Sequence, residues 1–212
     1  NEVGRSFASN QVYSDDGFIY QDSSVDEIDS ENYGILQYTA AYVPRKFRET
    51  IYNESIVDGR SIFNPDLIKD SLGRETESKN HSPLIGWAYD GNPIYGPYGF
   101  VNANGTGGVK RMVSGYKKRS LANRPSILTY PLGFFCNDYE WTTDGDLDES
   151  NGRFCITPEY QNGVYAYFAT IGENLVEYGN YKEPIFPYFI GDSFKSAPIE
   201  FNFDPEINQE NF

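Results

Sequence analysis

The chain has 212 residues, of which 17 are Lys or Arg and 31 Asp or Glu, giving a formal charge of −14. That length supports one sizeable core, and the acidic balance argues against nucleic acid and anionic membranes, which both select cationic surfaces. No apolar run approaches the roughly 20 residues of a membrane helix, and the first residues lack the basic and apolar regions of a signal peptide.

Residues 1–32 are polar and acidic, with Asp15-Asp16-Gly17 as a turn before Phe18-Ile19-Tyr20, and read as an N-terminal arm. From Tyr33 the pattern becomes β-prone, and the run Ile35 to Val43 is expected to end at Pro44, which fixes φ and donates no hydrogen bond. Phe47 to Val57 fits neither helical nor strand period. Asn64 to Gly73 predicts a short helix, with Asn as N-cap, Pro65 at the first position and Gly as the stop. Beyond Phe100, Asn102 to Gly108 reads as a flexible hairpin or loop tip. Strands are expected at Ser126–Tyr130, Gly133–Phe135, Tyr139–Trp141 and Val164–Phe168, with Asn162-Gly163 as a hairpin turn before the last. From Ala197 onward no period is visible, which predicts a tail or linker over 196–212. The chain starts at Asn1 rather than Met, so a piece of a longer polypeptide is expected.

The densest stretch is His81 to Phe100, HSPLIGWAYDGNPIYGPYGF, with four Gly, three Pro, three Tyr and a Trp. Alternation through Leu84–Tyr89 reads as a strand with one buried face, and Asp90-Gly91 and Gly96-Pro97 as turns of a rigid loop. This run from Gly86 to Gly99, followed in order by Asp146–Arg153, Thr157-Pro-Glu-Tyr160 and Tyr165-Ala-Tyr-Phe168, resembles the YHYH domain family over roughly residues 81–195. The resemblance implies a setting in secreted bacterial proteins or in large virion structural proteins of marine cyanobacterial phages. It carries no enzymatic activity. Where the name-giving motif has histidines this chain has Ala166 and Phe168, so a metal or catalytic role for those histidines is not inherited.

Candidate chemistry is sparse. His81 is the one histidine, so any Ser-His-Asp or Cys-His arrangement must pass through it, and no G-x-S-x-G elbow is present. It is read as a structural hydrogen-bonding residue. Asp144, Asp146 and Asp148 place oxygen ligands two residues apart and form the calcium candidate, although Glu149 and Cys155 stand where an EF-hand needs Gly and a bidentate Glu. The alternative is an acidic turn bonded to its own backbone. Trp87, Tyr95, Tyr98 and Trp141 are candidates for an aromatic platform under a sugar ring, against the alternative of core packing. Residues 101–135 hold six bases and no acids while 136–151 hold six acids and no bases, so the basic run is either an anion site or a face that offsets its neighbour. Cys136 and Cys155 are either a disulfide or two buried thiols.

These observations predict a mainly β protein: an antiparallel β-sandwich or barrel-like domain over 33–195, with long Gly/Pro/Tyr-rich loops and one or two short helices. The expected function is that of a non-catalytic structural module, or one engaging a receptor or cell-surface glycan, within a virion or extracellular protein. Its expected partners are other subunits of that assembly or copies of itself. A carboxylate- or calcium-dependent hydrolase or lyase acting on surface polysaccharide is the other class that the residues permit. On the strand Val164–Phe168, alternation predicts Val164, Ala166 and Phe168 on a packed face and the hydroxyls of Tyr165 and Tyr167 directed to polar partners or to solvent.

Overall fold

The computed structural model describes residues 17–21, 36–40, 43–49, 56–57, 60–61 and 65–198, except 136 and 178. The parts of the expected arm and tail outside those ranges, and Cys136, lie beyond the described residues. Gly and Pro interrupt the chain so often that its strands are short, and most pair as local two-stranded ribbons. β1 (Gly17–Gln21) pairs with β2 (Leu36–Ala40), joining the expected arm to the segment after it. Pro44 ends the β-prone run, and a single helical turn, α1 (Arg45–Glu49), follows within the stretch whose period is ambiguous. β3 (Ile56–Val57) then turns back on β4 (Arg60–Ser61).

The helix expected over 64–73 is replaced by a hairpin, with β5 (Ile68–Lys69) against β6 (Glu75–Thr76). The Asp70 carboxylate accepts from the amides of Leu72 and Arg74, both at 2.9 Å, and Gly73 takes φ +77° to close the turn. Asp captures local amides in this way more readily than it sits inside a helix. A buried ion network also holds the hairpin: Arg48 on α1 donates to Asp66 and to Glu75, each at 2.9 Å, and all three are buried.

The centre of the fold is a four-stranded sheet in the order β13–β14–β8–β7. β7 (Leu84–Trp87) and β8 (Pro93–Tyr95) are antiparallel neighbours, and β13 (Gly152–Cys155) and β14 (Val164–Phe168) form a second antiparallel pair. The two halves meet in the sheet's one parallel contact, Tyr167 opposite Ile94 and Phe168 opposite Tyr95. Around it stand the ribbons β9 (Tyr98–Phe100) with β10 (Val109–Arg111), β11 (Tyr116–Lys118) with β12 (Tyr139–Trp141), and β15 (Ile171–Leu175) with β16 (Lys182–Pro184). The protein is therefore mainly β and mainly antiparallel, with one short helix among the described residues.

Period-two alternation on β14 decides which face is covered by what. Ala166 and Phe168 are fully buried with Tyr95, Met112, Leu147 and Cys155, and Val164 packs against them, so the apolar face is a core as expected. Gly99 is needed beside it, because a Cβ there would stand 2.8 Å from the Phe168 ring. A second cluster of Val43, Tyr98, Ala169 and Ile171 continues the core. Tyr165 and Tyr167 stand on the opposite face, where Lys195 of the segment 194–196 bonds to the Tyr167 hydroxyl.

Two strand expectations fail. Ser126–Tyr130 and Gly133–Phe135 are turns, because Arg124 and Asp138 bind this stretch from within and leave no ladder for it to join. Asn162-Gly163 closes a longer connection between β13 and β14 rather than a two-residue hairpin, with Gly163 at φ +88° donating to the Tyr160 carbonyl.

Candidate functional site

The motif stretches converge on the tyrosine face of the central sheet. Gly91, at φ +80°, turns the chain after β7, and its amide bonds the Ala88 carbonyl, leaving the Asp90 side chain inward. Tyr167 donates its hydroxyl to Asp90 at 2.7 Å, and Asp90 also accepts from the Asn92 side chain at 2.8 Å and the Ser196 amide at 3.1 Å. One turn of the pleat away, Tyr165 donates to Asp148 at 2.7 Å, and Lys195 Nζ reaches the other carboxylate oxygen of Asp148 at 2.8 Å. The two tyrosine rings meet edge to face at 5.2 Å, and the Lys195 ammonium lies 5.1 Å above Tyr165. Lys195 also donates its backbone amide to the Tyr167 hydroxyl at 2.7 Å, so 194–196 acts as a strap across the cluster.

Electrostatics fix the protons. Burial works to raise the pKa of Asp90, but hydrogen bonds from Tyr167, Asn92 and Ser196 outweigh it and the carboxyl is held below its usual range. Asp148 behaves alike, with burial outweighed by Lys195, Tyr165 and the Gly152 amide. Burial, reinforced by the neighbouring carboxylates, pushes both tyrosine hydroxyls well above their usual range. Both acids are ionised and both phenols protonated at neutral pH, so each pair is a charge-assisted hydrogen bond from phenol to carboxylate. The cluster is arranged to tie three segments together.

His81 sits on the other side of β14. Its Nδ1 donates to the Ser82 carbonyl at 2.8 Å, its Nε2 has no partner, and the rings of Phe100, Tyr95 and Phe168 lie 4.8, 5.2 and 6.1 Å away. Burial lowers its pKa to about 4, aided by the Arg153 charge, so it is a neutral packing residue. Asp90 is bonded elsewhere, and Ser82 gives its hydroxyl to Asp66, so no triad forms through His81.

The sequence candidates for ligand binding separate in space. Tyr95 and Tyr98 are fully buried, with the Tyr95 hydroxyl between Thr157 (2.9 Å) and Glu159 (2.6 Å), and are corrected from platform to core residues. Gly96 between the two strands and Gly99 within β9 allow this packing, because a Cβ at either would stand 2.8 Å from Ser82 or from the Phe168 ring. Trp87 remains exposed beside Tyr160, edge to face at 6.4 Å, and Trp141 is part-exposed on β12 with its indole N–H on the Leu147 carbonyl at 3.4 Å. The three aspartates of the calcium candidate each meet a different lysine: Asp144 with Lys117, Asp146 with Lys110 at 2.6 Å, and Asp148 with Lys195. No group of three or more His, Cys, Asp or Glu side chains is placed to hold a metal among the described residues. The basic run is thus engaged by its acidic neighbour, as Arg119 with Glu140 and Arg124 with Asp138 also show. Cys155 is a buried free thiol whose pKa burial raises.

Sequence reasoning missed Lys195 as the strap residue and the Arg48–Asp66–Glu75 network, whose members are far apart in the chain and carry no local pattern. It anticipated that Tyr165 and Tyr167 would find polar partners or solvent, and the acidic turns at Asp90 and Asp148 were the available signal for which partners.

The acids and tyrosines thus brace loops across the central sheet of a short-stranded β protein. The model of the YHYH protein family matches residues 62–178, more than half of the chain, and the chain belongs to that family. Neither curated proteins nor solved structures yield a match.

Proposed function

We propose that this chain is a non-catalytic module of a larger virion-associated or extracellular assembly, a rigid β scaffold that presents loops to other subunits or to a surface glycan. The observation that carries this is the tyrosine–aspartate cluster. Its motif residues are engaged in intramolecular bonds that lock the loop at Asp90, the turn at Asp148 and the strap at Lys195 onto one strand. A side chain held this way has no open position for a reacting group, and its work is to hold loop geometry. The family membership supports the reading, since the motif stretches that carry the resemblance are those that meet here. The acidic surface, at −14, suits a soluble exterior part. Trp87 and Tyr160 provide the exposed aromatic pair against which a sugar face can stack.

The test is a glycan array run beside a broad hydrolase and lyase screen on the whole chain. Glycan capture weakened by Trp87→Ala, without turnover, supports the module. Turnover abolished by Glu159→Gln with the melting temperature unchanged establishes an enzyme instead. Glu159 is the informative acid because burial raises its pKa beside the Tyr95 hydroxyl, which is the direction a general acid needs.

A further inference from the structure

The loop over residues 120–135 is built inside out. Its interior is the Arg124–Asp138 pair: Arg124 donates to both oxygens of Asp138 and to the carbonyls of Pro125 (2.9 Å), Tyr130 (2.7 Å) and Pro131 (2.9 Å). Asp138 in turn accepts from the amides of Gly133 (2.9 Å) and Phe135 (3.3 Å). With the polar groups turned inward, the large apolar side chains face solvent. Leu128 is 93% exposed and Phe134 51%, and Leu121, Ile127, Tyr130 and Leu132 are exposed beside them. The patch is continuous through the rings, since Tyr130 and Phe134 lie 5.0 Å apart and Phe134 and Phe135 5.1 Å.

Charge selects the occupant. Residues 120–135 hold one base, Arg124, and no acid, and Asp138 neutralises that base. The chain as a whole carries −14, so two copies repel wherever their acidic surfaces approach. At this loop they meet without bringing acidic groups together, and Arg119 next to it in the chain is balanced by Glu140. The exposed apolar side chains present roughly 600 Å², the upper range of what a lone soluble protein shows. Two such faces, if wholly covered, would remove at most about 1,200 Å², which reaches the lower bound of a specific interface.

We propose that the loop 120–135 is a self-association surface on which two copies of this chain pack, apolar loop against apolar loop. The proposal supplies a partner for the module read above and rests on that reading only in treating the chain as part of an assembly.

Sedimentation velocity of the whole chain across the micromolar range tests it. The expected result is a dimer that tightens as salt is raised, because screening relieves the repulsion between acidic copies. Leu128→Asp should weaken it by roughly tenfold or more with an unchanged melting temperature, since that side chain is almost wholly exposed, and Phe134→Asp should weaken it as much while also losing ring contacts with Tyr130 and Phe135. Leu128→Ser is the milder variant should either Asp change disturb folding. A monomer throughout the range, a dimer that none of the variants affects, or a dimer that salt loosens overturns the proposal. So does a monomer that co-floats with phosphatidylcholine vesicles through Leu128, which makes lipid the occupant. A monomeric chain leaves the non-catalytic reading standing, while turnover in the hydrolase screen leaves self-association standing.

Discussion

Replacing or titrating His81 measures how firmly the core face of β14 is built. The imidazole is buried among Phe100, Tyr95 and Phe168, and its pKa falls from 6.5 to about 4. The unfolded chain therefore takes up a proton as pH drops below 6.5 while the native state stays neutral until about 4, so native stability is lost across that window. Linkage over the upper part of the window, from pH 7 to 5, gives a loss of about 2 kcal/mol, rising to about 3 kcal/mol by pH 4. Because His81 is the one histidine of the chain, its ring protons are unambiguous in an NMR titration, and urea unfolding at pH 7 and 5 reads the energetic side. His81→Phe, if it packs, should flatten the stability profile between those values. A native-state titration midpoint near 6.5, or a wild-type stability identical at pH 7 and 5, refutes the reasoning.

Other expectations follow from the same contacts. Gly91→Val places a branched residue at φ +80°, and Gly96→Val drives a Cβ to 2.8 Å from Ser82, so both should cost more than the roughly 1 kcal/mol of an ordinary glycine replacement and lower the melting temperature. Tyr167→Phe removes the hydroxyl that holds Asp90 and Lys195 and should cost about 2 kcal/mol in chemical denaturation. Since lysines hold Asp144, Asp146 and Asp148 separately, the melting temperature should be the same in chelator and in millimolar calcium, and a rise abolished by Asp146→Ala would restore the calcium site. The Asp138 carboxyl is held down to about 2 by Arg124 and the loop amides, so the ion pair should persist below the ordinary 3.8 and loosen as pH falls towards 2, seen as a change in near-ultraviolet circular dichroism from Tyr130.

Local patterns were legible where a single physical rule governed them. The alternation on Val164–Phe168 assigned each side chain to its face, because period two is a property of the strand itself. The turn at Asn102–Gly108 was legible as a hairpin or loop tip because of its glycines, and the β9–β10 pairing makes it a hairpin. Misread elements were those in which a distant side chain decides. Asn64–Gly73 carries helix punctuation, yet Arg48 draws Asp66 and Glu75 into one buried network and Asp70 closes a hairpin between them. Ser126–Phe135 has the composition of strands, and the Arg124 guanidinium consumes the carbonyls a ladder would use. Tyr95 and Tyr98 illustrate the same limit, since an aromatic-rich loop has one composition whether its rings face solvent or core.

The parallel seam between β14 and β8 also sets an order of events during synthesis. Tyr167 must meet Ile94, the Lys182 amide closes on Glu75 across 107 residues, and the Ser196 amide closes on Asp90 across 106. Contacts of such long sequence separation form late, because the entropy of closing the intervening chain is lost before the contact returns anything. The nascent chain therefore cannot complete its central sheet until Phe168 has left the ribosome, nor close the strap over it until residues near 196 have. Until then the β7–β8 hairpin exposes an unpaired edge and the apolar loop at 120–135 travels beside it. Crowded translation of many copies would bring those edges together, so slow elongation after the β7–β8 hairpin, or chaperone cover there, should raise the yield of native protein.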